Sequence, residues 1–266
     1  MTLIPLAAGL GTVAGLVLGL TGAGGGVLAL PLLIFGLGLS IPQAAPIALL
    51  AVGLSALLGA AMGLRQGIVR YRAAALIGAC GIATAPIGLW VGHRLPAVPL
   101  ALCFAGVQTW VSIRLWRGAQ PGLRPLARCP CLLDHATGRL HWSASCARAL
   151  AGTGALAGLL SGLLGVGGGF VIVPALRRYT DLEMNSLVAT SLAVIALVAL
   201  ATGGVTVASG LSHGAIALPF ALGSVGGLLL GRRLARYLSG ATLQKAFALA
   251  GMVAALALLA RSHIFG

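Results

Sequence analysis

Acidic residues are almost missing from this chain: Asp134, Asp181 and Glu183 are its only carboxylates, against 17 Lys and Arg. None of the three lies in the middle of an apolar run. Carboxylates inside a membrane usually mark cation or proton paths. Their absence argues against a metal-cation pump and suits an anion as substrate. Charge of either sign is scarce as well, at 8% of residues, where a soluble domain carries about a quarter. So few charges cannot cover a water-exposed surface.

Catalytic groupings are also absent. The sequence offers no Ser/His/Asp constellation and no His-Glu-x-x-His motif, so neither an enzyme nor a cofactor is expected. The glycine cluster at Gly22–Gly26 is not a phosphate loop, because no Lys-Ser/Thr follows it. No acidic residue follows at about twenty positions, as a dinucleotide fingerprint requires. The net charge of +14 does not indicate nucleic acid, since the basic residues sit in short gaps between apolar runs without interleaved aromatics. No basic stretch precedes the first apolar run, so no cleaved signal peptide is expected.

What is present is apolar length. Hydrophobic residues form 59% of the chain and the mean hydropathy is +1.07. The fold class expected is all-α, a polytopic helical membrane protein of about eight hydrophobic segments, each needing about 20 apolar residues to cross a bilayer. Residues 44–64, 73–93, 97–115, 184–209, 214–231 and 241–260 read as single spans. Residues 3–39 and 149–176 are longer than one span, and each is interrupted by glycines.

Those two interrupted segments match one another. Ala14–Ile34 laid over Ala157–Arg177, a shift of 143 residues, gives identity at eleven of twenty-one positions, including Gly22, Gly24, Gly25, Gly26 and Pro31. A weaker match lays Gly88–Leu95 (GLWVGHRL) over Gly227–Leu234 (GLLLGRRL). The chain therefore divides into a first transmembrane repeat at 1–115, an Arg-rich connector at 116–147 and a second repeat at 148–266.

Charge gives the relation between the halves. Arg65, Arg70 and Arg72 follow the second segment of the first half, whereas the counterpart 209–214 has no Lys or Arg. Only Arg94 follows the third segment, whereas its counterpart carries Arg232, Arg233 and Arg236. Under the positive-inside rule corresponding loops lie on opposite sides, so the halves are expected to be inverted repeats. Each would open with a broken hairpin, re-entrant or made of two short spans. With the N-terminus outside and the connector cytoplasmic, only Arg94 and Arg261 fall outside; a plain eight-span arrangement divides the basic residues far more evenly.

Glycines in a helix interior cost about 1 kcal/mol each relative to alanine, and glycine tolerates the positive φ a turn needs. Gly22, Gly24, Gly25 and Gly26, with Gly165, Gly167, Gly168 and Gly169, are thus candidates for unwound, substrate-binding backbone, with Pro31 and Pro174 removing further helical bonds. Unwound backbone at membrane depth is tolerated where it is buried or lines a cavity. Paired breaks of this kind point to a transporter's midplane site, and free N–H groups at a half-helix start suit an anion. The pairs Gly15–Gly19 and Gly158–Gly162 read instead as close-packing glycines. Candidate polar contacts are Thr21, Ser161, Asn185, Thr190, Ser191 and Gln108, each of which could equally serve the helix itself. Cys80 and Cys103 read as small hydrophobes. Cys129, Cys131 and Cys146 accompany Asp134, His135 and His141 in the connector, but the Cys-Pro-Cys spacing fits no common zinc pattern. Reduced thiols without a metal are expected.

On the duplicated motif AGLVLGLTGAGGGVLALPLL and AGLLSGLLGVGGGFVIVPAL, with Ala189-Thr190-Ser191 after the second copy, the sequence resembles the sulfite exporter TauE/SafE family, also called the four-TMS-duplicated sulfonate and sulfite permeases. The resemblance implies a secondary transporter, an exporter of a small anion such as sulfite or an organosulfonate, in a bacterial-type inner (plasma) membrane. Its implied partners are the anion, the lipid bilayer and a coupling proton or sodium ion, with an oligomer left open. At the counterpart of Thr190-Ser191 the first half has Ala48-Leu49, so hydroxyl contacts would be one-sided. Two alternatives stay open at this stage: a passive channel for anions or small solutes, and a membrane scaffold or sensor with a metal-binding connector.

Overall fold

The computed structural model describes residues 3–22, 24–118, 131, 133–134, 139–140, 142–208, 214–235, 249 and 252. Among these, nine helices appear: α1 (Leu3–Thr21), α2 (Gly24–Leu37), α3 (Ile41–Arg65), α4 (Tyr71–Arg94), α5 (Ala97–Gly118), α6 (Ala144–Leu164), α7 (Gly169–Tyr179), α8 (Met184–Ala208) and α9 (Gly214–Leu234). Two short strands, β1 (Leu133–Asp134) and β2 (Arg139–Leu140), pair antiparallel between α5 and α6. The expected span at 241–260 lies almost wholly outside the described residues.

Among the described residues, six helices are long and apolar enough to cross a membrane, with a shorter apolar helix at Gly25–Leu37. The protein is a polytopic helical membrane protein. Large apolar side chains such as Leu57, Leu102, Leu218, Leu222 and Leu230 point outward, as lipid contact requires. Trp90, Trp110 and Trp116 are exposed too, and tryptophan favours the level of the headgroups.

Packing is set by glycine. Along α1, Gly11, Gly15 and Gly19 lie against the backbone of Phe220, Ser224 and Leu228 of α9. In return Gly223, Gly227 and Gly231 of α9 lie against the carbonyls of Ala8, Thr12 and Leu16. Both series rise together, so α1 and α9 run parallel. Apolar helices gain no hydrophobic drive from meeting in lipid, and close backbone approach supplies dispersion instead. A Cβ at any of these glycines would overlap backbone atoms of the neighbour.

The same arrangement recurs with the halves exchanged. Shifting each partner by 143 residues turns Gly11–Phe220 into Gly154–Ile77, Gly15–Ser224 into Gly158–Gly81, and Gly19–Leu228 into Gly162–Ala85. All three derived pairs are in contact, joining α6 to α4. The pairs Gly15–Gly19 and Gly158–Gly162 are therefore packing glycines. Between the halves, α3 and α8 run antiparallel: Gly53 meets Leu200, Gly59 meets Leu192, Gly63 meets Ala189 and Gly203 meets Leu49.

This register corrects two alignments. Gly88 meets Leu159 where Gly231 meets Leu16, so Gly88 corresponds to Gly231 rather than Gly227. A slip of four residues is close to one 3.6-residue turn and keeps the same helix face, which is why apolar sequence alone does not resolve it. By the same shift Thr190 and Ser191 correspond to Ile47 and Ala48, not Ala48 and Leu49.

The connector also brings a correction. Cys131 and Cys146, expected as reduced thiols, form a disulfide with Cα atoms 5.1 Å apart. The Cys131 N–H donates to the Tyr179 carbonyl at 3.2 Å, which holds the connector against the end of α7. Ser143 Oγ accepts from the Cys146 N–H at 3.1 Å, fixing the start of α6. Two chain ends pinned side by side bring the thiols together, a meeting that cysteine spacing does not reveal. No cluster of three or more metal-ligating side chains occurs among the described residues; Cys129, His135 and His141 lie outside them.

Candidate site at the paired glycine breaks

Each half opens with a helical hairpin. In the first, α2 folds back on α1, with Gly25 against Leu18 and Ala14 and Gly36 against Leu10. In the second, α7 returns past α6, with Gly168 against Ala157. The turns differ in length. Gly22, at φ 72°, lies between α1 and α2, whereas Gly24, Gly25 and Gly26 already form the first turn of α2. In the second half Gly165, Gly167 and Gly168 all take left-handed φ, of 68°, 76° and 66°, and Gly169 begins α7.

The expectation that every glycine of the cluster unwinds is therefore met at Gly22, Gly165, Gly167 and Gly168 and not at Gly24, Gly25, Gly26 or Gly169. Gly25 and Gly26 are small for another reason. A Cβ on Gly25 would stand 2.5 Å from Leu18 Cβ, and one on Gly26 would overlap the Val166 carbonyl. Pro31 and Pro174 sit inside continuous helices, α2 and α7, so they do not end them.

The Gly26–Val166 contact brings the two breaks together. Equivalent supports flank them: a Cβ at Gly22 would stand 2.7 Å from Val188 of α8, and Gly165 abuts Ala45 of α3, the repeat counterpart of Val188. Gly167 faces Val52, Ile195 and Ala199, where α3 and α8 cross.

The candidate side chains divide into three groups. Ser191 belongs to the first break: its Oγ lies 2.9 Å from the Gly22 carbonyl and 2.8 Å from the Val188 carbonyl. With one proton it donates to one at a time. Ser161, fully buried one turn before Gly165, has a hydroxyl with no hydrogen-bond partner among the described residues. A buried hydroxyl left in that state is costly. Its repeat counterpart is Leu18. Thr21 ends α1 beside the turn and donates to its own helix at the Val17 carbonyl, 2.8 Å away.

Thr190 serves elsewhere, accepting from the Arg70 N–H at 3.1 Å and so holding the α3–α4 loop. Asn185 is exposed in the first turn of α8, one turn before Val188, which packs against Gly22. Gln108 is buried in α5, a helix that packs against α6 and α7.

Other polar contacts are not visible in the sequence. Ser55 and Ser224, both fully buried, share a 2.8 Å bond between α3 and α9. Arg232 of α9 turns inward and donates from Nη1 to the Gly59 carbonyl at 2.7 Å. Its place in a basic cluster suggests only a loop charge.

Apolar spans and a glycine-broken hairpin opening each half define a duplicated polytopic membrane protein. The model of the family described as "Sulfite exporter TauE/SafE" matches residues 7–258, and the chain belongs to that family. It is 30% identical over 257 residues to a "Probable membrane transporter protein" of Xylella fastidiosa strain Temecula1, covering 96% of this chain and 94% of that one. A protein of the same description from a second strain of that organism is 30% identical over 263 residues, with the same coverage of both chains. No solved structure matches.

Proposed function

We propose that the protein is a secondary transporter, working as an exporter, of a small sulfur oxyanion such as sulfite or an organosulfonate. The substrate would bind where the two glycine breaks meet. The observation that carries this reading is the contact of Gly26 with the Val166 carbonyl, beside a buried Ser161 hydroxyl without a partner among the described residues. The start of α7 points backbone N–H groups into the same turn, and such groups favour anions.

The site so drawn is one-sided. Ser161 and Ser191 stand in the second half where Leu18 and Ala48 stand in the first. A substrate bound there would lean toward α6, α7 and α8.

We take the halves to be inverted in the bilayer. The exchange of packing partners under one 143-residue shift supports this, together with the antiparallel run of α3 against α8. A rotation that exchanges two antiparallel helices lies across them, hence in the membrane plane. Rocking of one half on the other would then expose the breaks to each side in turn. We take the membrane to be a bacterial inner membrane, with the connector on its cytoplasmic face and the N-terminus outside, a reading that the distribution of the basic residues supports.

Uptake of labelled sulfite, taurine, sulfoacetate and sulfate into proteoliposomes tests the reading. Saturable flux of one anion, responding to a proton or sodium gradient, is the expected result. Large unitary currents would identify a channel instead, and no flux of any anion under either gradient would remove the sulfur-anion assignment.

A further inference from the structure

Arg232 is a basic residue whose position lipid contact does not explain. It occupies the last turn of α9, where an arginine ordinarily extends to the headgroups. Arg233, next to it, is exposed in that way. Arg232 is half-buried instead, and its guanidinium reaches across to the Gly59 carbonyl of α3.

The surroundings place it beside the first break. A Cβ on Gly19 would lie 3.1 Å from the Arg232 backbone nitrogen, so Arg232 sits against the last turn of α1, three residues before Gly22. A Cβ on Gly59 would lie 2.8 Å from Leu192, the neighbour of Ser191, whose hydroxyl reaches the Gly22 carbonyl. Arg232, Gly59, Ser191 and Gly22 thus occupy one neighbourhood of α9, α3, α8 and the first turn.

Among the described residues the charge there is uncompensated. Of the three acids in the chain, none pairs with Arg232 among the described residues. Guanidinium carries five N–H donors, and the Gly59 carbonyl engages one nitrogen. The repeat counterpart of Arg232 is Leu89, so the cation belongs to one half only. A planar fork of donors fits two oxygens of a sulfonate, sulfite or sulfate group better than a point charge does.

We propose that Arg232 is an anion-binding residue at the first glycine break, taking a tetrahedral or pyramidal oxyanion on the side where the basic loops lie. This rests on the anion-transport reading above. A purely structural arginine would only bolt α9 to α3, and the two roles separate experimentally. Full-length wild type, Arg232→Lys and Arg232→Gln are purified; melting is followed with and without sulfite, methanesulfonate or sulfate, and KM is measured in proteoliposomes.

The anion-binding role predicts that Arg232→Gln raises KM about tenfold, the usual scale for losing a charged hydrogen bond. Its maximal rate stays within about twofold, and the anion-induced rise in melting temperature disappears. Arg232→Lys keeps the charge without the fork and falls between. Where Arg232→Gln does not fold, a raised KM in Arg232→Lys with an unchanged melting temperature supports the proposal in its place. A folded Arg232→Gln with wild-type KM and wild-type anion stabilisation overturns the proposal. So does a lower melting temperature in both variants with KM unmoved, or a wild type that no anion stabilises. A wild type that binds sulfite without moving it overturns the transport reading alone.

Discussion

At Gly26 a single methyl group decides whether the two breaks can touch. A Cβ there would enter the Val166 carbonyl, which belongs to backbone and cannot swing aside. Gly26→Val is therefore expected to separate the turns and to lower initial uptake by at least about tenfold, the loss that a displacement of about 1 Å at a binding site brings. Size-exclusion chromatography shows whether the variant is folded before its flux is compared with wild type. Ser191→Ala removes the hydroxyl held at the Gly22 carbonyl. A loss of about 1–2 kcal/mol follows, read as a lower melting temperature. The sequence marks both residues, but for partly different reasons. A glycine present for its φ and a glycine present for closeness look alike until the partner is known. Gly22 is the first kind, while Gly25 and Gly26 are the second. The opposing backbone of Val166 lies 140 residues further along the chain, outside any local motif. Asn185 and Arg232 are hard to place from sequence for a related reason: residue type is legible there, and direction is not.

Among elements, the glycine-lined contacts of α1 with α9 and of α4 with α6 hold the halves together. Gly158 of α6 lies against the backbone of Gly81, so Gly158→Leu should prevent the two helices from meeting. Gly152 of the same helix has nothing within 4 Å of a built Cβ. Gly152→Leu should accumulate in the membrane at wild-type level, whereas Gly158→Leu should not; immunoblots of membrane fractions compare them. The helices themselves are readable because apolar length is a strong signal, and the 143-residue repeat follows from matching turns. The connector is not readable. Its disulfide depends on Cys131 being carried to the start of α6 by the Tyr179 contact. Both cysteines are fully buried; on the proposed orientation the connector faces the cytoplasm, where disulfides are rare, and that burial would be what shields this one from reductants. Alkylation during extraction, followed by mass spectrometry, should recover the two cysteines as one cross-linked peptide. Recovery of both as alkylated thiols would show the bond does not form in the cell.

For the molecule as a whole, the proposal on which the rest depends is that two hairpins in inverted halves present one site to each side in turn. The charges of the loops carry the inversion in the sequence, and the packing of α3 against α8 adds support that loops alone cannot give. The place to test it is Ser161, buried beside the second break. Ser161→Cys is made in protein whose Cys80, Cys103 and Cys129, the three cysteines outside the disulfide, are replaced by alanine. A small membrane-impermeant thiol reagent is then applied separately to right-side-out and inside-out vesicles, with and without the transported anion. Alternating access requires that the new cysteine reacts from both sides, that a gradient shifts the balance between them, and that the anion slows modification on each. Reaction from one side only, at a rate the anion leaves unchanged, would be incompatible with it.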